Sequence, residues 1–79
     1  HTHRDIIMKA YGTRQMAYCF KKLERYEHAV ICFKYMLAIA WTIKLPEMEF
    51  SAYEGLAQMH LYLGNIQKVK FYDARMSHG

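Results

Sequence analysis

Seventy-nine residues leave room for one small domain at most. At 53% apolar and 15% aromatic the chain is too apolar for a disordered segment, and two cysteines, Cys19 and Cys32, are too few for a disulfide framework. The net charge of +4 comes from basic residues that are scattered except at Lys21-Lys22 and Lys68-Val69-Lys70, so it permits an acidic partner, nucleic acid or an anionic membrane surface and demands none.

The cysteines read as reduced thiols of an intracellular, cytoplasmic protein, and no signal peptide opens the chain. A first residue His1 rather than Met reads as a fragment or a processed product. The longest apolar run, Tyr35 to Trp41, is far too short to span a bilayer, so no membrane insertion is expected.

Four helices are predicted in order. The first, over 5–23, has its larger apolar residues at Ile7, Tyr11, Met16, Phe20 and Leu23, mostly three to five apart. It ends at a polar break, Lys22-Leu23-Glu24-Arg25, that contains no glycine. The second, over 26–44, repeats the pattern at Ala29, Val30, Phe33, Met36, Leu37 and Ala40. The third, over 47–63, opens on Pro46, whose missing N–H costs nothing in the first turn, with Glu47 and Glu49 at the positive end of the helix dipole. Gly64-Asn65 stops it, glycine by adopting the left-handed conformation and asparagine by capping the fourth helix, over 66–77. Links this short make neighbouring helices antiparallel. The fold class is all-α: one domain over 1–79 made of two helical hairpins, about 10–45 and 46–79.

The two hairpins align at an offset of 40. Met16-Ala17 falls beside Leu56-Ala57, Phe20 beside His60, Leu23 beside Leu63, Tyr26 beside Ile66 and Ala29 beside Val69. Small residues where backbones approach, with large ones on either side, are what close helix crossings require. A plain four-helix bundle accounts for the periodicity but not for the offset.

This order resembles the tetratricopeptide family, whose signature runs large, leucine, small and aromatic in the first helix, then small, phenylalanine and small in the second. Tyr53, Leu56, Ala57 and His60 match the first-helix positions of the second hairpin, and Met16, Ala17, Phe20, Tyr26, Ala29 and Phe33 match in the first. The period of 40 exceeds the family's usual value of about 34. It is similar to the elongated repeats of the kinesin light chains and the Pins/LGN spindle adaptors, as are Leu37-Ala38-Ile39-Ala40 and Tyr62-Leu63-Gly64-Asn65. Met36, Asp73 and Val69 depart from the pattern, so the second hairpin reads as a degenerate or terminal repeat.

The resemblance implies an α-solenoid, a piece of a longer array, whose first helices line a groove that binds a partner peptide. The groove positions carry over to Tyr11, Arg14, Tyr18, Lys21 and Lys22, and to Ser51, Glu54, Gln58, Leu61 and Tyr62. Arg14, Tyr18 and Lys22 lie four apart on one helix face, where guanidinium and phenol suit an acidic or C-terminal peptide. A solvated face is the competing reading of the same residues. Trp41 is expected to pack on the neighbouring hairpin.

Chemistry is sparse. His28 and Cys32, four apart, offer two metal ligands where a closed zinc site needs four. His1-Thr2-His3 would chelate copper if His1 were the true amino terminus. Cys19, Cys32, Ser51 and Ser77 lack an elbow or oxyanion motif, and no phosphate loop exists, so neither catalysis, a cofactor nor a small-molecule substrate is expected. His60 is expected to replace the aromatic residue of the repeat core. Nucleic-acid binding is disfavoured because the second helix is apolar and carries only Lys34 and Lys44. The main alternative to a binding scaffold is a purely architectural segment of a large assembly.

Overall fold

The computed structural model describes residues 2–78, of which all but the caps and turns are helical: α1 (His3–Lys22), α2 (Tyr26–Ile43), α3 (Pro46–Tyr62) and α4 (Ile66–His78). Each helix packs on the next, giving the expected stack of helical hairpins. Among the described residues no helix is long and apolar enough to cross a membrane.

α1 starts two residues earlier than the apolar spacing indicates. The Thr2 hydroxyl accepts the Asp5 backbone N–H at 3.2 Å, and Asp5 sits in the positive first turn while Lys21 and Lys22 sit in the negative last one. α3 opens on Pro46 with Glu47 and Glu49 in its first turn, as the sequence indicates.

The turns carry the repeat. Arg25 N–H donates to Phe20 C=O at 2.8 Å, and Asn65 N–H donates to His60 C=O at 2.8 Å, each the same residues apart and 40 positions from the other. Glu24 and Gly64, also equivalent, both take positive φ, 59° and 73°. The link between hairpins is built alike: Lys44 has φ 55° and Leu45 N–H donates to Ala40 C=O at 3.0 Å. One helix and its turn therefore occupy 20 residues, and a hairpin occupies 40.

α2 and α3 form the centre. Phe33 of α2 meets Tyr18 of α1 edge-on, with ring centroids 6.4 Å apart, and lies over Gly55 of α3. Ala10, Ala17, Ala29, Ala40 and Ala52 are fully buried at the crossings, and Met36, Leu56 and Met59 fill the space between them. Ala17 and Ala57, the aligned small residues, are both buried. α4 is held chiefly by Tyr72, whose ring lies 5.9 Å from that of His60 and 6.1 Å from that of Tyr53. The Cα framework measures 38 × 31 × 12 Å.

His60 is buried in the core, as expected of its place in the repeat, and neither ring nitrogen has a hydrogen-bond partner. Desolvation, then Lys68 and Lys34, push its pKa below the usual value and keep it neutral.

Three residues correct the sequence reading. Met16, aligned with buried Leu56, is exposed, because among the described residues no helix covers that side of α1, and Leu23 is exposed as its counterpart Leu63 also is. Trp41 is 53% exposed rather than packed, because it shares an edge of α2 with exposed Lys34 and Ala38, outside the face that meets α1 and α3. On the outer face of α4, Lys70, Asp73 and Ser77, all exposed, stand where α2 has buried Val30, Phe33 and Leu37, with exposed Ile66 on the same face.

Candidate functional site

The wedge between α1 and α3 is the best-formed concave surface that joins the two hairpins. It encloses about 310 Å³ and is lined by Tyr11 and Arg14 from α1, Met36 from α2, and Glu47, Met48, Phe50, Ser51 and Glu54 from α3. Toward the other end of the pair, Lys21 Nζ donates to Gln58 Oε1 at 2.8 Å.

Of the residues the sequence marks, Tyr11, Arg14, Ser51 and Glu54 come together in this cleft. Tyr18 is one turn along, where its hydroxyl accepts from Arg14 Nε at 2.9 Å while the guanidinium carbon lies 5.4 Å from the ring centroid. That pairing holds the guanidinium in place and leaves its other N–H groups free to donate. Lys22 is exposed beyond Lys21 on α1. Leu61 is exposed on the α3 wall outside the wedge, and Tyr62 stacks on Tyr26 at 4.7 Å and 12°, which fixes it at the turn end rather than in the cleft.

The cleft is bipolar. Arg14 lines the α1 wall, and Glu47 and Glu54 the α3 wall, over a floor of methionine and phenylalanine, whereas Lys21 and Lys22 lie outside it, in a separate depression along α1 with Gln15, Tyr18 and Cys19. Glu47 and Phe50 were not singled out by the resemblance. They share the helical face of Ser51 and Glu54, so the spacing alone could have found them.

A second cleft of about 380 Å³ lies between α3 and α4, lined by Pro46, Glu47, Glu49, Phe50, Tyr53, Arg75 and Met76. The Tyr53 hydroxyl donates to Glu49 Oε2 at 3.0 Å and accepts from Arg75 Nη2 at 3.3 Å. Arg75 also lies over the rings of Tyr53 and Phe71, at 5.7 and 6.0 Å. Glu49 and Tyr53 are an i, i+4 pair readable from sequence, but Arg75 joins them across 22 residues and is not.

The metal-site candidates do not converge. His28 packs on the Phe20 ring at 5.2 Å, and Cys32 is buried with its thiol pKa pushed up by desolvation. Among the described residues no three His, Cys, Asp or Glu side chains gather. His1, on which the copper chelate depends, lies outside the described residues. Comparison with protein-family models, with curated proteins and with solved structures gave no match.

Proposed function

We propose that the chain is a tetratricopeptide-type double hairpin acting as a protein-interaction scaffold, with a peptide of its partner held in the α1–α3 cleft. The observation that carries this reading is the convergence of Tyr11, Arg14, Ser51 and Glu54 on one cleft joining the two hairpins. Side chains from separate hairpins that face one another across an apolar floor are what peptide recognition needs. Arg14, pre-positioned by Tyr18, and the nearby Lys22 take acidic groups of the peptide on one wall. Glu47 and Glu54 take a basic or amide group on the other. The free thiols of Cys19 and Cys32 suit a reducing, cytoplasmic setting.

The test is selection from a displayed peptide library with the native chain, repeated with Arg14→Glu plus Lys22→Glu. The reading requires enriched peptides with a carboxylate-rich end or side, lost with the double variant. Identical enrichment by both proteins would rule out the cleft. Tight binding of duplex DNA at physiological salt, falling steeply as salt rises, would replace the scaffold with a nucleic-acid module.

A further inference from the structure

Glu47 and Phe50 belong to two clefts at once. They line the α1–α3 cleft on one flank of α3 and the α3–α4 cleft on the other, so the two hollows meet along these side chains. The Phe50 ring is 50% exposed there, and Pro46, one turn before it, is exposed as well. The corresponding cleft of the first hairpin, about 340 Å³ between α1 and α2, shares no residue with the α1–α3 cleft. It has Lys9 and Tyr35 in the places of Glu49 and Arg75, and Ala10 and Thr13 hold the places of Phe50 and Tyr53. The acidic, aromatic lining is therefore particular to the second hairpin and is not imposed by the repeat.

The two walls of the α3–α4 cleft differ in what their charges already do. On the α4 wall Arg75 is engaged: Nη2 donates to the Tyr53 hydroxyl at 3.3 Å, and the guanidinium lies over the rings of Tyr53 and Phe71. On the α3 wall the acids have spare capacity. Glu49 accepts the Tyr53 hydroxyl through Oε2 alone, and among the described residues no hydrogen bond reaches its Oε1 or either oxygen of Glu47. Two carboxylates against one guanidinium leave the cleft with an excess of negative charge beside the apolar surface of Pro46, Phe50 and Met76. A side chain that satisfies both features has a long apolar stem and a cationic head. The stem covers the exposed ring, and the head meets carboxylate oxygens and the face of the ring.

We propose that the α3–α4 cleft is a subsite for a lysine or arginine side chain of a partner peptide that crosses Phe50 from the α1–α3 cleft. The partner segment is bipartite: acidic residues face Arg14, and a basic residue farther along faces Glu49. This rests on the reading of the α1–α3 cleft as a peptide site. The shared wall is the reason for one occupant rather than two, since a chain leaving the first cleft past Glu47 and Phe50 enters the second directly.

The experiment selects a random displayed peptide library on the native chain, on Glu49→Gln and on Arg14→Glu plus Lys22→Glu. Affinities are then measured for an enriched peptide and for its variant with a neutral isostere, citrulline for arginine or norleucine for lysine. Glutamine at position 49 keeps an oxygen for the Tyr53 hydroxyl, so α4 stays docked while the charge is lost. The native chain should enrich a basic residue at a fixed spacing from the acidic ones. The neutral isostere should weaken binding about five-fold to the native chain and no more than about two-fold to Glu49→Gln. Should Glu49→Gln fail to fold, Glu47→Gln, which lies outside the Tyr53 bridge, carries the same comparison. Selection with no basic position overturns the proposal, and so does an equal loss on both proteins. Coupling of the basic residue to Glu54 instead of Glu49 overturns it by keeping that residue in the α1–α3 cleft. Enrichment of a carboxylate that is lost with Arg75→Gln overturns it by making the cleft an anion site. Acidic enrichment that survives Arg14→Glu plus Lys22→Glu removes the groove reading; coupling of the basic residue to Glu49 then still supports the subsite, and its absence overturns it.

Discussion

Phe33 lies so close over Gly55 that a Cβ at position 55 would overlap its ring. Gly55 is mid-helix, where alanine is ordinarily better by about 1 kcal/mol. Forcing a methyl group into a packed crossing costs about 1–3 kcal/mol, and the buried ring has little room to retreat. Gly55→Ala is therefore expected to destabilise the chain by about 1 kcal/mol net, read by chemical denaturation. Phe33→Leu destabilises alone but should relieve the clash, so the double variant should be more stable than the sum of the singles predicts. Strict additivity would mean that the two residues do not meet.

The equivalent turns give a pair of predictions with opposite signs. Glu24 holds a left-handed backbone, φ 59°, that glycine adopts freely, and Gly64 holds the same conformation at φ 73°. Glu24→Gly should stabilise by about 1 kcal/mol and Gly64→Ala should destabilise by a similar amount. The melting temperatures of the two variants should move apart. Movement in the same direction would contradict the shared turn geometry.

His60 makes stability depend on pH. Its folded pKa is lowered by desolvation first, then by Lys68 of α4 and Lys34 of α2, and its other ring neighbour, Tyr72, offers no negative charge at neutral pH. The folded state thus refuses a proton that the unfolded state accepts near pH 6.5. Its contribution is complete above the unfolded pKa and is lost as pH falls from about 6.5 toward the folded value, by about 1.4 kcal/mol per unit. His60→Phe removes two orphaned nitrogens, so it should raise stability at pH 7 by about 1 kcal/mol or more and flatten the profile between pH 5 and 7. An unchanged slope in that variant would place the titrating group elsewhere.

The Tyr53 hydroxyl bridges Glu49 and Arg75 and so ties α4 to α3. Tyr53→Phe keeps the ring stacking and deletes both hydrogen bonds, and it should cost about 1–2 kcal/mol, since charged partners strengthen each bond while partial exposure weakens it. Amide exchange in α4 should speed up more than in α1. Uniform acceleration would mean that the bridge is not what anchors α4.

The helices, their antiparallel order and the offset of 40 were legible because apolar spacing and punctuation are local properties of the chain. The α1 wall was legible for the same reason: Arg14, Tyr18 and Lys22 share a face whatever lies opposite. What periodicity does not say is whether a helix face has a neighbour. Met16 and Leu56 look alike in the alignment, yet one is bare and the other fully buried, because only α3 has helices on both flanks. Trp41 is exposed for a related reason: its edge of α2, shared with Lys34 and Ala38, faces neither α1 nor α3. The first turn was the weakest boundary in the sequence because its left-handed residue is glutamate, which carries no glycine signal, and the geometry is imposed instead by the Arg25 to Phe20 hydrogen bond. Arg75 joins the α3 cleft through tertiary contact alone.

The 40-residue equivalence is tested most directly by backbone NMR across the two turns. Coupling constants and carbon shifts should give positive φ at both Glu24 and Gly64, with the amides of Arg25 and Asn65 protected from exchange by the carbonyls of Phe20 and His60. Helical φ at Glu24, with unbroken helical shifts from Phe20 to Ala29, would make α1 and α2 a single rod and contradict the hairpin repeat.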